Sequence, residues 1–333
     1  MRKHGVFRDF HGITRAGIGL LFERELSMRV AVMATGALGG YFGGRLAEAG
    51  HDVSFIARGA NLAAIRKNGL RVESPLGNIH IKSPKATDNP KEVGEVDLVL
   101  FAVKLWDVEK SGEAAKPLVG KNTRLISMLN GIDSVERLVP ILGSTAVAAA
   151  PTVISAVISA PGVILHKNPF AAFRCGFMDG HDDARLSALV DEMKAAKVNA
   201  DFSKTIEKEL WEKFVFIVGM SGATASMRMP IGPIRDDPDA FALLQSVMHE
   251  VEAVGVAKGI PLKGAAESRI ALVKGLPPTI KASMLEDLER GNRLETDWFQ
   301  GKVAELGRAL SVPTPVNRDV YAVLKLHRMG KGA

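Results

Sequence analysis

The sequence predicts an α/β chain: a doubly wound parallel sheet followed by an all-helical C-terminal domain. Three observations predict it. Short apolar runs alternate with amphipathic stretches from Arg29 to about residue 145, the rhythm of a parallel sheet covered on both faces. A glycine-rich joint, "ATGALGG", separates the first apolar run from the first helix. Beyond about residue 200 the periodicity is helical, with Gly and Pro marking the joints in "MPIGPIRDDP", "GLPP" and "SVPTPVN". The expected organisation is an N-terminal extension over 1–27, an α/β domain over 28–200 and a helical domain over 201–333.

Residues 1–27 mix Arg and Lys with Asp9, Glu23 and Glu25, and their apolar run "AGIGLLF" is too short for a secretion signal. They precede Met28 and are expected to lie outside the fold. Strands follow at "RVAVM", "DVSFIA", "VDLVLFAV" and "TRLISML", with helices starting near Ala37, Asn61, Trp106 and Asp133. After residue 145, "PTVISAVI", "GVILH" and "AAFRCGF" read as further strands extending the same sheet. The stretch from Ile141 to Leu165 carries no charge, but Pro151 and Pro161 interrupt it. A membrane span needs about 20 strongly apolar residues, so buried strands are expected there and no membrane partner. In the helical domain, helices are expected over about 204–223, 238–258, 264–275, 293–311 and 317–328.

Composition narrows the function classes. Apolar residues make up 47% and charged residues 24%, ordinary for a soluble globular protein. The net charge of +6 is spread along the chain without a basic block, which argues against a nucleic-acid partner. A phosphorylated cofactor or an anionic substrate accounts for it equally well. Cys175 is the single cysteine and the eight histidines show no ligand spacing, so neither a disulfide nor a metal site is expected. The lone thiol and the lack of a signal point to the cytoplasm.

The glycine-rich joint has the spacing of a dinucleotide cradle. In such a cradle the first glycine allows the tight turn, the second lets the backbone approach the pyrophosphate, and the third lets helix pack closely on strand. Gly36 and Gly39 fill the second and third places, while Ala34 replaces the first. A methyl there is tolerated if the backbone keeps a negative φ. The cofactor-binding set is then Ala34, Thr35, Gly36, Ala37, Leu38 and Gly39, with the phosphates at the helix N-terminus. Where an NAD site carries an acidic residue at the end of the second strand, this chain has Arg58. A guanidinium there favours a 2′-phosphate, hence NADP(H), unless Arg58 simply faces solvent.

Two charged residues stand out in the helical domain. Lys213, in "ELWEKFVFIVGMSGATA", begins a segment apolar on every side. Desolvation would lower its pKa and suit it to donate a proton to a developing alkoxide; a lysine snorkelling to the surface is the alternative. Glu295, in "RLETDWFQGKVAELGRAL", lies on the face of a stripe formed by Phe299, Val303, Leu306 and Leu310. Near a helix start it is equally a dipole or capping charge.

The cradle together with "FAVKLWD", "LNGID", "WEKFVF", "SMLEDLERGNRLETDW" and "VPTPVN" resembles the ketopantoate reductase (2-dehydropantoate 2-reductase) family over residues 28–328. The resemblance implies a Rossmann-type domain, a helical domain, and an active site in the cleft between them. It also implies NADPH-dependent reduction of a 2-keto acid to a 2-hydroxy acid in pantothenate synthesis. By position it implies Lys213 as the catalytic proton donor. Asn130 falls beside the nicotinamide and substrate, Lys104 beside the cofactor, Ser283 on the substrate, and Glu295 at the cofactor–substrate junction. The family pattern has asparagines four and eight residues after the lysine, where this chain has Ile217 and Ser221; two further asparagine places fall on Ile231 and Ile280. A site that loses such donors changes its substrate recognition. Either Ser221, Ser283 and waters replace them, or the substrate is a different, less polar keto or hydroxy acid. A non-catalytic NADPH sensor is a further alternative, and a homodimer is carried as an expectation.

Overall fold

The computed structural model describes residues 27–331; all but the last residue of the expected N-terminal extension lies outside them. The α/β part runs through β1 (Arg29–Met33), α1 (Ala37–Glu48), β2 (Asp52–Ile56), α2 (Gly59–Asn68), β3 (Leu70–Glu73), β4 (Ile79–Ile81) and β5 (Lys85–Thr87). It continues through β6 (Leu98–Phe101), α3 (Val108–Ala115), β7 (Arg124–Ser127), α4 (Ser134–Leu142) and β8 (Val147–Ala149). Six of these strands form one sheet in the order β5-β2-β1-β6-β7-β8, parallel throughout. Counted among themselves, that order is the 3-2-1-4-5-6 of a Rossmann-type sheet, as expected. Its middle is β-branched and aliphatic because both faces are covered: Val30, Ala31 and Val32 of β1 and Leu98 to Phe101 of β6 are fully buried. The strand order reverses between β1 and β6, which opens a crevice beyond their carboxyl ends.

The later strands, expected to extend this sheet, do so only at β8. β9 (Thr152–Ala160), β10 (Val163–Cys175) and, after α5 (Ala184–Ala195), β11 (Asn199–Phe202) build a second, mixed sheet with β3 and β4. β10 runs for 13 residues with a register break between His166 and Ala171. Its first half pairs with β3 and its second with β11. Its mix of buried and exposed positions suits a half-solvated sheet better than a doubly covered one.

Helix α1 lies between the two sheets, and its glycines make that approach feasible. A Cβ on Gly39 would clash with the Ala34 carbonyl and come within 2.7 Å of Val32, and one on Gly40 would sit 2.9 Å from Ile164 of β10.

The helical part comprises α6 (Ile206–Met227), α7 (Ile231–Asp236), α8 (Pro238–Ala257), α9 (Ala265–Lys274), α10 (Ser283–Arg290), α11 (Gln300–Ala309) and α12 (Pro315–Leu324). Helix α6 is its axis, packed by α8, α9, α10 and α12. That central place explains its uninterrupted apolar surface beyond Lys213. It ends where Arg228 turns left-handed, at φ 54°. The continuous helix expected over 293–311 is instead broken: Thr296–Trp298 forms a 3-10 turn and α11 begins at Gln300. The buried Gln300 accounts for the break, accepting from Thr296 Oγ1 at 3.1 Å and donating to the Val218 carbonyl at 3.1 Å. Glu295 therefore leads into a turn, and the stripe running from it to Leu310 is not one helical face.

Candidate active site

The cradle is pinned from below. Thr35 donates to the Ile56 carbonyl through both its amide (2.8 Å) and its hydroxyl (3.1 Å). Asn61 Nδ2 donates to the Thr35 carbonyl at 2.8 Å. Above this loop Gly36 caps α1 without a side-chain hydrogen bond, and the first turn holds no acidic residue. The first amides, from Ala37 and Leu38 to Gly39, thus stand at the positive end of the helix with no side-chain acceptor. A Cβ on Gly36 would meet nothing within 4 Å, so the space over it is open to an approaching phosphate. Ala34 is not among the residues with positive φ, although the peptide that joins it to Met33 is cis. These features fit a dinucleotide pyrophosphate. Arg58, separated from the end of β2 only by Ala57, is the N-cap of α2 and is exposed. Among the described residues its guanidinium has no hydrogen-bond or ion-pair partner.

Lys213 and Asn130 come together from opposite halves of the chain. Lys213 projects from α6, Asn130 from the loop after β7, and Lys213 Nζ donates to Asn130 Oδ1 at 2.9 Å. By surface Lys213 is half-buried, yet its ammonium is walled in by protein. Burial lowers its pKa to about 7, against the opposing pull of the Glu295 charge. Desolvation, not snorkelling, governs this lysine.

Glu295, 8% exposed, spans the two halves as well. Oε1 accepts from the Leu105 amide at 3.2 Å and Oε2 from Lys104 Nζ at 3.4 Å. Lys104 also donates to Asp287 Oδ2 of α10 at 3.3 Å. Burial pulls the Lys104 pKa down, but Glu295 and Asp287 outweigh it and leave the ammonium above its ordinary value. Lys104 thus stays charged while Lys213, with fewer acidic neighbours, sits near neutrality.

The remaining expected positions divide. Ser283 is exposed at the first position of α10, four residues before Asp287 and therefore on the same face. Ile217, one turn beyond Lys213 on α6, is half-buried. Ser221, a further turn along, is only 1% exposed. Ile231 is fully buried and Ile280 is 37% exposed, with the Ile280 carbonyl accepting from the Ile231 amide at 2.9 Å. Ile231 is thus core rather than a substrate wall.

Sequence reasoning missed several residues here. Asp287 lies inside the quoted "SMLEDLERG", but nothing local marks it as the partner of a lysine 183 residues away. Nor did it find, beside Glu295, a cluster of cations on a tilted pair of rings, Trp106 and Trp298, whose centres are 6.2 Å apart. Arg293 Cζ lies 4.6 Å from the Trp106 ring centre and 5.8 Å from that of Trp298. Lys104 Nζ is 5.6 Å from the Trp106 ring, and Arg137 Cζ is 5.8 Å from the Trp298 ring.

Comparison with known proteins bears on this geometry. The family models for "Ketopantoate reductase PanE/ApbA" and its C-terminal part match residues 30–180 and 205–328. An uncharacterized oxidoreductase, YkpB, of Bacillus subtilis is 30% identical over 91% of this chain and 100% of its own length. A 2-dehydropantoate 2-reductase of Mesorhizobium japonicum is 29% identical over 92% of this chain and 99% of its own. The crystal structure of a PanE/ApbA family ketopantoate reductase from Ralstonia eutropha superposes with a TM-score of 0.82 at 30% identity, covering 90% of this chain and 98% of that one.

Proposed function

The chain belongs to the ketopantoate reductase family and is an oxidoreductase, and on that premise we propose that it reduces a 2-keto acid to a 2-hydroxy acid with NADPH. The first candidate substrate is 2-dehydropantoate, which would place the protein in cytoplasmic pantothenate synthesis. The observation that carries the reading is the 2.9 Å hydrogen bond between Lys213 Nζ and Asn130 Oδ1. It sets an acid of tunable charge at the carboxyl end of a strand two places from the cradle.

Arg58 would hold the 2′-phosphate, the open space over Gly36 and the amides of α1 the pyrophosphate, and Lys104 and Glu295 the neighbouring sugar. The cofactor, when bound, supplies the hydride to the carbonyl carbon. Lys213 gives its proton to the carbonyl oxygen as negative charge develops there. Asn130 spends its amide oxygen on Lys213, which leaves Nδ2 free to donate to the same substrate oxygen. Glu295 favours the charged lysine, so the acid is reloaded from solvent near neutral pH. Ser283, on the exposed face of α10, would hold the substrate carboxylate, with Ser221 deeper along α6. The experiment is NADPH oxidation with 2-dehydropantoate and a series of less polar 2-oxo acids, with NADH in parallel. No turnover of any 2-oxo acid would refute the reading.

A second reading concerns the substrate alone. Ile217 presents an apolar side chain one turn from Lys213, which favours a keto acid whose side chain carries no hydroxyl. Within the same series, a higher kcat/KM for 2-oxo acids with plain alkyl side chains than for 2-dehydropantoate would select it.

A further inference from the structure

Five side chains beside Glu295 form one cluster of three cations on a tilted pair of rings: Lys104 and Arg293 lie against Trp106, Arg293 and Arg137 lie against Trp298, and the two ring centres are 6.2 Å apart. The outer cations have acidic partners. Lys104 pairs with Asp287 and Glu295. Arg137 pairs with Glu109 at 2.6 Å and lies 3.6 Å from Asp133. The central one does not: among the described residues, Arg293 makes no ion pair and donates no side-chain hydrogen bond.

An indole face holds a guanidinium by its π-system and leaves the edge, with five N–H donors, unused. Arg293 is only partly buried, so that edge reaches solvent. Its place is set by both halves of the chain. Trp106 follows the lysine after β6, whereas Trp298 and Glu295 belong to the same segment as Arg293. Glu295 meets the Leu105 amide at 3.2 Å, and two residues earlier Arg293 meets the ring of the next residue, Trp106. The two alternate side chains thus point at the same loop, the one that carries Lys104. A fixed, planar, unpaired guanidinium is a receptor for an oxyanion, because a fork of donors matches two oxygens of one group.

We propose that Arg293 is an oxyanion-binding residue beside Lys104 and Glu295, held against the paired rings of Trp106 and Trp298 so that its free edge takes a carboxylate or phosphate group. On the proposed function, on which this rests, that group is either the carboxylate of the keto acid or a phosphate of the dinucleotide. The indoles lower the entropy lost on binding by holding the fork in place beforehand.

The test uses the full chain and two calorimetric titrations: NADPH into the free protein, and 2-oxoisovalerate, which carries the shared 2-oxo acid group, into the NADP⁺ complex. R293Q, which keeps a flat amide against the rings, is expected to weaken one of the two about 10- to 150-fold, as a lost charged hydrogen bond does, while the other stays within twofold. R293K should recover part of the loss. In R293A, millimolar guanidinium ion should restore binding of the affected ligand. A weakened oxo acid assigns the carboxylate, and weakened NADPH assigns the phosphate. If R293Q binds both ligands like the unaltered protein, the proposal is overturned and the proposed function stands. If both weaken together with a fall in thermal midpoint, the cluster acts only by holding the segment that carries Glu295, which also overturns it. If the unaltered protein binds neither ligand, the proposal and the proposed function fall together.

Discussion

Lys213 and Asn130 are joined at 2.9 Å although 83 residues separate them, one on the axial helix of the helical part and the other past the carboxyl end of β7. Replacing the lysine tests whether that junction is the acid of the reaction. K213A should lower kcat by about 10²–10⁴-fold, the range for a lost general acid. NADPH affinity should change little. Stopped-flow NADPH oxidation under saturating substrate measures it, and a K213A protein with near-normal kcat would remove Lys213 from the mechanism.

The pH dependence has a defined sign. On the proposed mechanism Lys213 acts only while protonated, and burial lowers its pKa to about 7. The kcat/KM profile should therefore be level below that value and fall about tenfold per pH unit above it. Stability should run the other way. The folded lysine releases its proton near 7 and the unfolded one near 10.5, so the unfolded state binds more protons between those values and stability rises with pH across the window. K213M should abolish that rise in denaturant titrations at a series of pH values. An unchanged slope in K213M would mean that another group causes it.

Glu295 raises the Lys213 pKa and so opposes desolvation. E295Q removes the negative charge and keeps the shape, so the descending limb of the pH profile should move to lower pH. The same change frees the Leu105 amide and Lys104 from a carboxylate, and E295Q should also bind NADPH more weakly. A limb that stays in place would show that Glu295 does not tune the acid.

On the proposed function, Arg58 decides the nucleotide. Its exposed guanidinium is expected to contact the 2′-phosphate, so R58Q should raise the KM for NADPH by about 10- to 100-fold, the loss of a charged hydrogen bond. The NADH reaction should be unaffected. Equal changes with the two nucleotides would place the phosphate elsewhere.

Gly36 and Gly39 should separate binding from folding. A methyl on Gly39 collides with the Ala34 carbonyl and Val32, so G39A should lower stability by about 1–3 kcal/mol, the usual cost of overpacking. A methyl on Gly36 meets nothing, so G36A should keep the thermal midpoint and lose NADPH affinity. Thermal melts and nucleotide titrations on both variants decide it.

How much of this was legible beforehand follows from where each signal lies. Strands β1 and β6 are nearly continuous apolar runs, β2 and β7 are short and largely β-branched or aliphatic in their buried positions, and the joint after β1 carries its own glycines, so local pattern sufficed. The second sheet was hidden because β3 and β4 are three or four residues long with alternating polar positions, and such short segments read as loop. Lys213 stood out because it is the last charge before the apolar stretch of α6. Glu295 stood out too, but its neighbourhood was misread. The helical period continues through Thr296 to Phe299, and only the pull of Gln300 toward the Val218 carbonyl shows where the helix starts. Asp287, Arg293 and the two tryptophans could not be found locally, since what defines them is a partner nearly two hundred residues away.

One packed interior runs through both halves: Trp211, Phe214 and Val215 of α6 belong to the same apolar cluster as Val99, Phe101 and Leu125 of the parallel sheet. Recombination between relatives at the junction near residue 200 would thus join mismatched surfaces as well as mismatched catalytic partners.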